Sequence, residues 1–161
     1  MWFNDVMHTG DQARRYAWLV ALAALPTLTT GCSSSGLSIE GKDPLTIVHR
    51  SSISMTAIIM GTLRYDAESK CLRLVMPGPG DPQATPVWPD GTQPVIDGKR
   101  RGVDVPGMGP VLEGDKITGG GGASTWRKNP PAGIKIPDGC LPDGPDGTVM
   151  IISKVTKVER S

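Results

Sequence analysis

"MTAIIMGTLRYDAESKCLRLVM", residues 55–76, holds two apolar runs around a polar turn. The first run, 55–65, carries Ile58, Ile59 and Leu63, and the second, 71–76, carries Cys71, Leu72, Leu74 and Val75 in partial alternation. β-Branched and other apolar side chains in short runs suit a pleated, half-buried surface. With "DAESK" between them, the two runs predict an antiparallel hairpin, and Gly61 predicts a bulge or bend within its first strand.

Outward from this hairpin the pattern stays β. Upstream, "LTIVHRS" (45–51) reads as a strand, preceded by a Ser- and Gly-rich tether that ends at Pro44. Downstream, "PGPGDPQATP" (77–86) contains four prolines and is expected to be loop, because proline removes ladder donors. "VWPDG" follows, then "PVIDGKRRGVDV" (94–105) as a hairpin. "VLEGDKITGGGG" (111–122) reads as strand, turn and strand, ended by its glycines. Residues 123–146 hold five prolines and predict a long Pro/Gly-rich loop, and "TVMIISKVTKV" (148–158) is the strongest strand, with one end buried on both faces or bent. Six to seven short strands without an amphipathic helix indicate an all-β fold. A small OB-like barrel, closed or partly open, is the preferred architecture because closure hides strand edges.

Composition agrees with a small, turn-rich body. Of 161 residues, 21 are Gly and 15 Pro, and beyond the N-terminal region the aromatic residues are Tyr65, Trp88 and Trp126. A core made of Val, Ile, Leu and Met buries little area per residue and gains much from a covalent staple. The net charge of +1, with "GKRRG" (98–102) as its single short basic cluster, gives no footprint for nucleic acid. Lys99, Arg100 and Arg101 read as a solvated loop.

The N-terminal region reads as an export signal. Residues 16–30, "YAWLVALAALPTLTT", follow Arg14 and Arg15 and are mainly apolar. The run is shorter than the roughly 20 residues needed to cross a hydrocarbon core, and Pro26 interrupts it, but it suits the apolar region of a secretory signal. Asp5 and Asp11 offset the two arginines, which makes Met7 an alternative start. The arginine pair itself leaves twin-arginine export as a second route.

At its end, "LTTGC" (28–32) resembles the cleavage box of bacterial lipoprotein signals, with "SSSG" behind it as a flexible tether. The resemblance implies cleavage before Cys32 and a diacylglycerol on its thiol. Thr29 departs from the pattern, which more often has Leu at that place. Residues 1–31 are then a signal peptide, 32–44 a lipidated cysteine and tether, and 45–161 a small β domain. Two or more acyl chains anchor a protein persistently, so the domain itself need not enter the membrane. A second resemblance covers 57–122. Gly61-x-Leu63, Cys71-Leu72-x-Leu74, "VWPDG" and Gly114-Asp115-x-Ile117 before Gly119-Gly120 look like small exported β-barrel proteins of actinobacteria, which implies a compact barrel and no particular activity.

With Cys32 acylated, Cys71 and Cys140 are left as a pair in an oxidising compartment and are expected to form a disulfide. Two free buried thiols are the alternative. His49 is the sole histidine after Cys32 and no CxxC or HxH spacing occurs, so no metal or other cofactor is expected.

Four constellations carry possible chemistry. Trp88, at a strand end beside Pro89, is a possible ligand contact through its stacking face, or else a cap on the barrel. Asp138, Asp143 and Asp146 could converge on calcium, but their spacing departs from a calcium loop and Asp-Gly is strong turn chemistry. Gly119–Gly122 lacks the following GK[ST] of a phosphate loop. His49 with Asp43 and Ser51 or Ser52 could be imagined as a hydrolytic set, without any accompanying nucleophile elbow. The sequence thus predicts a non-catalytic binding or structural module, lipid-anchored outside a bacterial cell membrane, whose partner is an envelope protein or glycan and not nucleic acid. The alternative is a small extracytoplasmic hydrolase or sugar-acting enzyme using paired carboxylates about 5–9 Å apart.

Overall fold

The computed structural model describes residues 36–50, 55–126, 136–142 and 147–161. Ten strands lie within them: β1 Leu37–Glu40, β2 Thr46–His49, β3 Ala57–Asp66, β4 Cys71–Val75, β5 Gln83–Trp88, β6 Gln93–Asp97, β7 Arg100–Val105, β8 Gly109–Leu112, β9 Lys116–Thr125 and β10 Thr148–Glu159. Among the described residues the only helical piece is a 3-10 turn at Asp138–Cys140.

Five of these strands close a barrel. β3 pairs antiparallel with β4 and with β9, β9 pairs antiparallel with β10, and β10 runs parallel to β5. β5 then meets β4 through Leu74–Ala84 and Val75–Gln83, which completes the ring. The fold is all-β, and this Greek-key order with its one parallel contact is that of an OB-like barrel. β2, with β1 outside it, extends the sheet from the far end of β5 at Ile47–Val87 and Val48–Trp88. β6, β7 and β8 form a separate meander inserted between β5 and β9.

Alternation places the core. On β3, Ile59 and Leu63 are buried while Ile58, Met60 and Arg64 face out. The main core joins Leu63, Leu74, Ile117, Ile152 and Trp88 of the barrel to Val103, Val105 and Val111 of the meander, so the small sheet packs on the barrel's interior. Each such side chain contributes about 1.5–3 kcal/mol through removal from water. β10 has Val149 and Met150 both buried and breaks register between Ile152 and Lys154 and again between Val155 and Lys157, giving the bent strand its sequence predicts.

Several expectations need correction. Residues 37–40 are not tether: Leu37 and Ile39 alternate and pair with His49 and Ile47, so the folded body begins before residue 45. Pro86 lies inside β5 instead of in a loop, at the changeover where β4 has left the strand edge and β2 is about to join it. Gly61 is paired in unbroken register and forms no bulge; a Cβ there would sit 2.6 Å from Leu74 Cγ, so the residue serves close packing. The glycines at 119–122 do not end β9 but run through its middle, paired with β3 and β10. A Cβ on Gly119 or Gly121 would stand 2.3 or 2.2 Å from a carbonyl oxygen of the bulged β10, so only glycine admits this approach.

Arg100 and Arg101 are also not a solvated loop. The turn is Gly98-Lys99, and both arginines lie on β7. Arg100 donates to Glu113 O at 2.8 Å and pairs with Asp115. Asp115 is buried and accepts the amides of Leu112 at 3.0 Å and Ser161 at 3.2 Å. Burial alone would raise its pKa, but those amides and the guanidinium outweigh it and hold the carboxyl below its ordinary value. One carboxylate thereby ties the meander, the start of β9 and residue 161 together.

A candidate binding groove on the outer face of the barrel

A second, smaller core lies outside the barrel. Ile47, Cys71, Val87 and Val149 are covered by Ile136, Cys140 and Leu141 from the connection between β9 and β10. Three attachments hold this cover down. Cys71 and Cys140 stand at disulfide bonding distance with their Cα atoms 5.2 Å apart, Thr85 Oγ1 donates to Cys140 O, and Arg73 Nη2 donates to Gly139 O at 3.0 Å.

Beside Pro142 lies an open groove of about 950 Å³. Its floor is the outer face of β3 and β4 and the start of β5, and Pro142 with Thr148 forms one bank. A smaller depression of about 330 Å³ shares Val75, Met76 and Asp81 with it and continues across β3 and β9. The larger volume lies near the top of the ~300–1,000 Å³ range of small-molecule sites.

The hairpin register explains the groove's polar character. Arg64 pairs directly with Arg73, so two like charges share one rung, an arrangement that is unfavourable by itself. Asp66 relieves it. Its carboxylate accepts Arg73 Nη2 at 2.8 Å, Ser69 Oγ at 2.8 Å and the Glu68 amide at 3.1 Å. The Arg73 bond first, then that of Ser69, lowers the Asp66 pKa to about 2. A carboxyl held ionised in this way cannot serve as an acid near neutral pH. Arg64 is left exposed to solvent.

At the groove's end, Tyr65 is fixed from behind. Its hydroxyl donates to Asp43 Oδ1 at 2.7 Å, and Arg101 both lies 4.9 Å from the ring centroid and bonds the same carboxylate oxygen at 3.0 Å. The Tyr65 bond, followed by that of Arg101, lowers the Asp43 pKa; burial, then the bond to Asp43, raises that of Tyr65.

The residues singled out in the sequence fall elsewhere. Trp88 is fully buried beside the meander valines, so its ring has no exposed face for a ligand and belongs to the core. Its strand-end position suggested a groove, but β6–β8 fold over it. His49 is buried and donates through Nε2 to Ile152 O at 2.9 Å, whereas Asp43 serves Tyr65 and Arg101, so the two do not act as one set. Cys32, Ser51, Ser52, Asp143 and Asp146 lie outside the described residues, and among the described residues no group of three potential ligands is placed to hold a metal. Arg64, Arg73 and Gln83 were not anticipated. Their signal was polar residues at outward positions of otherwise apolar strands. No known protein family, curated protein or solved structure shows significant similarity to this chain.

Proposed function

We propose that this chain is a bacterial lipoprotein, exported and held at the cell membrane through lipid on Cys32, whose barrel is a non-catalytic binding module for an envelope protein or glycan. The observation that carries this reading is the pairing of sulfurs: Cys71 and Cys140 face each other at bonding distance, which leaves Cys32, within "LTTGC", as the odd thiol. A disulfide fits an oxidising compartment outside the cytosol. The barrel order supports binding through the groove, since OB-type barrels engage ligands along their second and third strands and neighbouring loops, here β4, β5 and the β9–β10 connection. That support is an analogy of fold.

The experiment is metabolic labelling with a palmitate analogue in a bacterial host. The wild-type chain is expected to take up label and the Cys32→Ala variant to lose it. Equal labelling of the two rejects lipid attachment at this residue.

A further inference from the structure

We infer that the groove on β3, β4 and β5 takes an uncharged, hydroxyl-rich chain, an oligosaccharide lying across the strands. The inference rests on the groove being the binding site, and it names the ligand class.

Charge decides first. The described residues lining the groove carry two arginines, Arg64 and Arg73, and two aspartates, Asp66 and Asp81, so their charges balance. A polyanion gains affinity by replacing counterions at a basic surface, and the described lining residues have no excess positive charge to offer. Single-stranded nucleic acid also needs aromatic platforms. Tyr65 is the one aromatic among the lining residues, and its ring already carries the Arg101 guanidinium while its hydroxyl serves Asp43.

The floor decides second. An extended peptide is usually captured by adding a strand to a free sheet edge. Here the floor is the face of strands paired with one another, Arg64 to Arg73 and Val75 to Gln83, so backbone groups are engaged in the ladder and recognition falls to side chains. Those side chains combine donors and acceptors on Arg64, Asp81, Gln83 and Thr148 with the aliphatic surfaces of Met76 and Pro82. That mixture matches sugar rings, which present hydroxyls at their rims and apolar C–H faces between. Continuation of the groove past Val75 and Met76 into the smaller depression gives room for more than one ring.

The test uses the full-length chain in mild detergent on an array printed with neutral oligosaccharides of glucose, mannose and N-acetylglucosamine, sulfated oligosaccharides and a single-stranded oligonucleotide. Binding to a neutral chain is expected, unchanged between about 50 and 500 mM salt. The double variant Arg64→Ala with Gln83→Ala should weaken it by about ten-fold or more. Both residues are exposed, so the fold, checked by circular dichroism, should persist. Preference for the sulfated chain or the oligonucleotide, falling steeply with salt, overturns the ligand class while leaving the groove as the site if the double variant still binds less. Neutral binding indifferent to the double variant overturns the location, and failure to bind any neutral oligosaccharide overturns the inference, with lipid attachment judged separately by the labelling of Cys32.

Discussion

Breaking the link between Cys71 and Cys140 should remove much of this domain's stability. The two residues are separated by 69 positions, and closing a loop of that length in the unfolded chain is worth about 4 kcal/mol in the chain-entropy model. Small domains commonly have only about 5–15 kcal/mol in total. Both residues are buried, so alanine substitution adds a small packing loss, whereas reduction of the wild type keeps every side chain in place. Urea unfolding followed by tryptophan fluorescence, with Trp88 wholly buried as a reporter, measures the difference. Reduced wild type should lose about 4 kcal/mol, equivalent to a fall of roughly 15 °C in Tm. Cys71→Ala, Cys140→Ala and the double variant should lose nearly equal amounts, because removing either sulfur cuts the same link. Losses that add between the single variants, or a reduction effect below about 1 kcal/mol, would show that no covalent bond joins Cys71 to Cys140.

Three further outcomes follow from the packing and charges. Because Asp66 is held at about 2, below the ordinary carboxylate value of 3.8, its stabilisation is complete above the unfolded value and is lost as pH falls through about 2; its side chain is 29 % exposed, so Asp66→Asn should cost about 1 kcal/mol at pH 6 and little at pH 2 in urea titrations. Trp88→Ala should destabilise by about 3–5 kcal/mol and Trp88→Phe by clearly less, with groove binding by correctly folded protein unchanged in both, which calorimetry and a binding assay would separate. Gly121→Ala places a Cβ 2.2 Å from Ile151 O and should cost about 3 kcal/mol by forcing β9 and β10 apart, against a near-neutral effect for Gly98→Asn in the exposed turn.

The barrel was legible because its strands announce themselves locally: Ile59 and Leu63, Leu72 and Leu74, and Val149 to Val155 sit in runs whose spacing fits a sheet. The misreadings came where tertiary contact overrides local chemistry. Four glycines look like a strand's end until a bulged neighbour needs the space, and Pro86 looks like loop until two partners exchange along one edge. Arg100 and Arg101 appeared solvated because their partners, Asp115 and Asp43, are remote in sequence. The groove was the least legible part. It arises between a hairpin and a cover segment some 70 residues away, and no motif marks Arg64, Arg73 or Gln83 in advance.

We propose that the three thiols divide their labour, Cys32 bearing lipid while Cys71 and Cys140 join across the barrel wall. Intact-mass spectrometry of the protein extracted from bacterial membranes without reductant tests it in a single spectrum. The expected species is a chain beginning at Cys32, heavier by a diacylglycerol at that residue and lighter by the two hydrogens lost from Cys71 and Cys140. A chain that retains residues 1–31 with three unmodified, free thiols would contradict it.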